Sequence, residues 1–237
     1  MDNNTLPVTL ARRRHAATRI LKLSGEPTVD TLETIRQRRS IRKFKPDPVA
    51  PELITEVLDA ARRAPSGSNA QPWKFVVVRS ETCRAALCEA AYGQPMFRQA
   101  PVVIVVLGDR KTFKKWIRRG MELVDIGAVD SGVMQAVGEV YRSRAKQPGG
   151  PERAILLNCM IAADHLTLAA TSLGLGTCWV MLMKPDEVAA TLKLPDSMFP
   201  VAMIPLGYAD ETPSPRPRYG LDEIAFDEDL EHPWTGG

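Results

Sequence analysis

Residues 154–173 limit the possible folds more than any other stretch of the chain. The run Ala154-Ile155-Leu156-Leu157-Asn158-Cys159-Met160-Ile161-Ala162-Ala163 continues through Leu166, Leu168, Ala169 and Ala170 to Leu173. Before its last turn its polar interruptions are Asn158, Asp164, His165 and Thr167. A helix apolar on nearly every side belongs at the centre of a fold, or under the cover of a second subunit. Gly174 and Gly176 end it. His165 invites an acid–base role, but no catalytic partner accompanies it. It reads as a hydrogen-bonded core or interface residue.

The remaining pattern supplies layers around that helix. Residues 102–107, Val-Val-Ile-Val-Val-Leu, are apolar on both faces and mark the centre of a covered sheet. Strands are predicted at 73–78, 177–182 and 200–208, and shorter helices at 29–38, 51–61, 83–91 and 185–192. In the first of these helices Val29, Leu32 and Ile35 form the apolar stripe. Pro51 opens the second, and Ser80 is the expected cap of the third. Residues 111–150 carry two looser helical patterns, a place for a lid. There Phe113, Trp116 or Tyr141 could meet a flat substrate. No internal repeat or linker divides the chain. The expectation is one α+β domain over 28–237, preceded by a basic extension over 1–27 with a helix at 10–23.

Composition removes several alternatives. The chain of 237 residues is 44% hydrophobic and 25% charged, as in soluble globular proteins. No uninterrupted apolar run reaches the length of a membrane span, and the first residues do not resemble a secretory signal. Cys83, Cys88, Cys159 and Cys178 are scattered, without metal-ligand spacing. No metal is expected, and reduced thiols point to the cytoplasm. A net charge of +3 is too small to imply nucleic acid. Positive charge is nevertheless concentrated in the first 43 residues, consistent with a solvated helix face and a few arginines directed at a bound phosphate.

Two polar stretches carry the candidate chemistry. In Arg38-Arg39-Ser40-Ile41-Arg42-Lys43-Phe44 the alternation reads as extended backbone, with Arg38, Ser40 and Arg42 on one face and Ile41 on the other. Guanidinium forks flanking a hydroxyl form a receptor for phosphate or carboxylate. Between helix and strand lies Ala64-Pro65-Ser66-Gly67-Ser68-Asn69-Ala70-Gln71-Pro72-Trp73. It is dense in donors and acceptors, stiffened by proline at both ends, and opened to close approach at Gly67. Such a loop suits a flat polar ligand.

Four segments, in order, together resemble the flavin-dependent nitroreductase family: 38–42, 65–73, Gly174-Leu175-Gly176-Thr177-Cys178-Trp179, and Arg216-Pro217-Arg218. The likeness runs from about Val29 to Phe226. It implies a mostly antiparallel sheet flanked by helices, and a homodimer built on the long apolar helix with a C-terminal tail swapped onto the partner. It also implies one FMN at each of two interface sites. By position, Arg38, Arg39, Ser40 and Arg42 would serve the phosphate, ribityl chain and N1/O2 side of the ring. Arg216 and Arg218 would close on the phosphate. Pro65, Ser66, Gly67, Asn69 and Gln71 would reach the ring and ribityl from the other subunit. Gln94 matches an amide that reads the pyrimidine edge. The backbone of Val180, Met181 and Leu182, with Met181 closest, would place an N–H near flavin N5.

The resemblance implies hydride transfer from NADH or NADPH to a small acceptor such as a nitroaromatic or quinone, by ping-pong kinetics. No side chain is assigned as a catalytic acid or base. Met181-Leu182 replaces a Glu-Gly pair of one branch, which makes that wall more apolar. Arg98 is the nearest match to a basic residue that some members carry after the amide. Two alternatives remain open at this point. One is a reductive dehalogenase of the iodotyrosine deiodinase type, for which Glu89-Ala90-Ala91-Tyr92 offers an imperfect match. The other is a flavin-binding module without turnover.

Overall fold

The strand Val102–Asp109 (β2) is buried through its first seven residues, as its apolar sequence requires. It lies inside a four-stranded antiparallel sheet, between Trp73–Val78 (β1) and Met198–Gly207 (β4). Gly176–Thr177 (β3) forms the far edge beside β4. The computed structural model describes residues 30–236. The basic extension and its expected helix at 10–23 lie outside the described residues.

Helices cover both faces. In chain order they are Thr31–Gln37 (α1), Pro51–Arg62 (α2), Glu81–Ala90 (α3), Met96–Gln99 (α4), Arg110–Asp125 (α5), Ser131–Ala145 (α6), Gly150–Ser172 (α7), Pro185–Thr191 (α8) and Leu221–Ile224 (α9). Alternation along β2 divides the core. Val102, Ile104 and Val106 pack with Ile54 and Val57 of α2 and Ile155, Cys159 and Leu166 of α7. Val103, Val105 and Leu107 pack on the other face with Leu87 of α3, Phe97 of α4 and Val188 of α8. Ser80 caps α3 as expected, its hydroxyl accepting from the Cys83 N–H at 3.3 Å. Gly174 ends α7 at φ +75°, where a side chain would be strained.

Three expectations change. The strand at 177–182 shortens to β3 plus a single bridge from Val180 to Met203. Neighbouring backbone accounts for this, because Thr177 is held between β4 and Ser40. The stripe on α1 is not buried within the chain: Leu32 is 59% and Ile35 51% exposed. By length and composition α7 could cross a membrane, yet its Ile155, Cys159 and Leu166 are fully buried in the core. Leu157 and Ile161, on its outer side, are 61% and 40% exposed.

Candidate functional site

The two ends of the domain meet beside β3. Ile41 is buried, and its N–H donates to the Thr177 carbonyl at 2.9 Å. The next residues run antiparallel to the exit of β4. The Lys45 N–H donates to the Tyr208 carbonyl, and the Asp210 N–H to the Lys43 carbonyl, each at 2.9 Å. This lacing sets the segment after α1 against the proline-rich segment after β4. Arg36, Arg38, Arg39 and Ser40 therefore share a cavity of about 310 Å³ with Ser214, Arg216 and Arg218. Five arginines and no carboxylate line it.

Several of those guanidiniums are already steadied by backbone. Arg39 Nη1 donates to the carbonyls of Arg36 and Arg38 at 2.6 and 2.9 Å, and Arg218 Nη1 to that of Pro217 at 2.9 Å. Neither Arg38 nor Arg216 has a salt bridge among the described residues. Arg42, expected with this group, is not among the cavity's lining residues. Its own N–H and that of Lys43 are held by the Glu211 carboxylate, which turns the chain toward β4. Arg42 and Arg38 still act on the Cys178 thiol behind the cavity. Burial pushes that thiol up, and the two guanidiniums pull it the other way.

The polar loop after α2 lies apart from this cavity: none of Pro65, Ser66, Gly67, Asn69 or Gln71 lines it. Residues Gly67–Asn69 form a short 3-10 turn. Ser68 and Asn69, both at φ 51°, and Gln71, at φ 49°, occupy the left-handed region. Local bonds support this shape. Ser66 Oγ accepts from the Gln71 N–H at 3.0 Å, and Gln71 Nε2 donates to Asn69 Oδ1 at 2.8 Å. Arg119 Nε of α5 donates to the Asn69 carbonyl at 3.3 Å. Asn158 Oδ1 of α7 accepts from the Gly67 N–H at 2.9 Å. A Cβ at Gly67 would stand 3.1 Å from Tyr141 Oη and 3.3 Å from the Trp116 ring.

Those aromatics revise the expected lid. Phe113, Trp116 and Tyr141 pack on one another, with ring centroids 4.7 to 5.8 Å apart. Trp116 is 0% exposed, so it is packing against the loop and not an open platform for substrate. Burial also pushes the Tyr141 hydroxyl above its ordinary range. His165 Nδ1 lies 3.1 Å from the Ile161 carbonyl of its own helix, a structural contact.

A third group forms where β3 leaves the sheet. The N–H and the C=O of Val180 both bond to Met203, which removes the Val180 N–H as a ligand donor. Met181 and Leu182 follow, exposed. Gln94 stands beside them, its Nε2 donating to the Ala91 carbonyl at 3.0 Å and reaching the Leu182 carbonyl at 3.5 Å. Arg98 pairs with Glu89 at 2.7 Å on the surface.

Sequence reasoning missed three positioning residues. Asn158 carried a signal, a carboxamide inside an apolar helix. Glu211 and Arg119 carried none, because an acid or an arginine on a surface element is ordinary.

A helix-covered antiparallel sheet with an arginine-lined cavity at its β3 edge defines the chain as an α+β protein. The chain belongs to the nitroreductase family, whose description matches residues 35–208. It is 33% identical over 204 residues to an NADH dehydrogenase of Thermus thermophilus, covering 84% of this chain and 97% of that one. An FMN reductase [NAD(P)H] of Bacillus subtilis is 28% identical, over 84% and 74% of the two chains. Among solved structures, one described as a nitroreductase in complex with FMN, from Exiguobacterium sibiricum, superposes with a TM-score of 0.71. It is 26% identical and covers 84% of this chain and 98% of its own. A nitroreductase family protein of Streptococcus pneumoniae gives a TM-score of 0.68 at 29% identity, over 84% and 100%.

Proposed function

We propose that this chain is an FMN-dependent oxidoreductase that passes hydride from NADH or NADPH to a small acceptor such as a nitroaromatic or a quinone. One observation carries the reading: guanidiniums from both ends of the domain meet in a cavity that contains no carboxylate. Such a cavity favours an anion, and a flavin phosphate has the charge and acceptor oxygens to meet its guanidiniums. The FMN-bound relative and the FMN reductase of the family support the same assignment.

FMN, when bound, supplies the hydride chemistry, and the protein supplies binding and electrostatics. Arg38, Arg39, Ser40, Arg216 and Arg218 would hold the phosphate. Arg42, just outside the cavity, would face the ring where negative charge develops. Gln94 would read the pyrimidine edge, and the N–H groups of Met181 or Leu182 would face N5. The loop residues Pro65, Ser66, Gly67, Asn69 and Gln71 lie away from their own arginine cavity, which favours service to a second subunit's flavin. Exposed Leu157 and Ile161 of α7, with Leu32 and Ile35 of α1, give that subunit an apolar face to cover. The tail beyond Arg218 keeps Tyr219, Leu221 and Leu230 exposed, and these are the residues we assign to the swapped contact. We place the enzyme in the cytoplasm as one domain over 28–237, with reduced thiols at all four cysteines.

Steady-state oxidation of NADH and NADPH with a quinone and a nitroarene tests the reading. Turnover that gives parallel double-reciprocal lines is expected, from a yellow dimer. A protein that binds FMN but oxidises neither nicotinamide would be a flavin-binding module instead. A colourless protein that takes up no FMN would contradict the assignment.

A further inference from the structure

We propose that Asn158 is the positioning residue for the flavin-reading loop, acting through the Gly67 amide; the inference rests on the function proposed above. Asn158 is out of place by composition. It sits in the apolar run of α7, and a carboxamide is a poor helix former with polar atoms to satisfy. Its two ends have opposite partners. Nδ2 donates to the Ala154 carbonyl one turn back at 2.7 Å, which fixes the rotamer. Oδ1 then accepts from the Gly67 N–H at 2.9 Å. That N–H opens the 3-10 turn, where no preceding carbonyl of the turn can serve it.

The loop requires such a tie. Three of its non-glycine residues hold positive φ, each strained for an L-amino acid. Ser66 and Gln71 bond within the loop, and Arg119 of α5 reaches the Asn69 carbonyl at 3.3 Å. Asn158 supplies the side-chain hydrogen bond from the helix at the centre of the fold to residues 65–71. From the other side Trp116 and Tyr141 stand so close that a Cβ on Gly67 would have to push them back by a few tenths of an ångström. The amide is therefore pinned between an acceptor and an aromatic wall. The polar groups of residues 65–71 inherit their placement from it.

Asn158→Ala removes the acceptor while preserving the helix, because alanine is the best helix former. Asn158→Asp keeps an oxygen for the Gly67 N–H. FMN and riboflavin should be titrated into wild type and both variants, with the flavin absorption band recorded. Asn158→Ala should weaken both ligands alike, by roughly three- to tenfold for one neutral hydrogen bond, and shift the band toward that of free flavin. Asn158→Asp, which keeps the acceptor but loses the Nδ2 bond to the Ala154 carbonyl, should fall between wild type and Asn158→Ala. Unchanged affinity in Asn158→Ala overturns the proposal, and so does equal loss in both variants, which would make the residue a packing element. Amide exchange at Gly67, followed without flavin, separates this claim from the cofactor assignment. Exchange should be slow in wild type and fast in Asn158→Ala, and a fast wild-type amide overturns the proposal whatever the protein binds.

Discussion

The arginine cavity and the loop over 65–71 solve opposite problems. In the cavity, five guanidiniums are gathered, and among the described residues only Arg36 has a carboxylate partner, Glu33 at 3.8 Å. In the loop, strained backbone is gathered, and the counterbalance is internal: Asn158, Ser66, Arg119 and the Trp116–Tyr141 wall. The first site is incomplete without its ligand; the second is shaped before any ligand arrives. A ligand bridging the two should draw affinity from the cavity and orientation from the loop.

Substitutions can break that division. The largest effect belongs to the cavity. Arg218→Ala and Arg38→Ala should each weaken FMN by roughly ten- to a hundredfold, the value of one charge-assisted hydrogen bond, and leave riboflavin nearly unchanged. Equal loss of both ligands in a calorimetric titration would put these arginines at the ring. A smaller effect is expected in the loop. At Gly67→Ala the new Cβ, 3.1 Å from Tyr141 Oη, forces a shift of a few tenths of an ångström. FMN and riboflavin should then weaken together, by roughly two- to fivefold for about a kilocalorie of strain. A loss confined to FMN would place the loop at the phosphate.

The smallest effect lies outside both sites and serves as a control. Arg110 holds the Glu152 carboxyl below its ordinary value of 4.5, at a helix start away from the loop and the cavity. The folded value is depressed, so this pair's stabilisation is complete above the ordinary value and disappears as pH falls through the lowered one. Both side chains are 40% exposed, which limits the contribution to below about 1 kcal/mol. Thermal melts of Glu152→Gln should approach wild type as pH drops toward 3, with flavin affinity at neutral pH unaltered. A change in that affinity would mean that the two sites are less insulated than the comparison holds.

The same contrast explains what could be read from the sequence. Residues 102–107 announced a central strand because every position is apolar, and β2 is buried accordingly. That Arg38, Ser40, Arg216 and Arg218 share one cavity agrees with a sequence expectation that rested on side-chain chemistry at 38–42 and on the family resemblance at 216–218. The loop's donors were equally visible, but its positive φ values at Ser68, Asn69 and Gln71 were not, since none of those residues is glycine. Their conformation is set by tertiary contacts from α5, α6 and α7. The position of Arg42 relative to the cavity was hidden for a related reason. The alternation put it on the arginine face, while Glu211, far along the chain, holds its backbone and leaves it outside the cavity. On α1, periodicity found the apolar stripe correctly, but periodicity cannot say whether the cover is this chain or another.

The central claim is that an anionic phosphate, held by arginines from both ends of the domain, anchors the cofactor. Titrating FMN and riboflavin into the wild-type apoprotein at low and high salt tests it most directly. The account predicts that FMN binds more than roughly a hundredfold tighter than riboflavin, and that the gap narrows as salt screens the guanidiniums. Equal affinities, unchanged by salt, would contradict it.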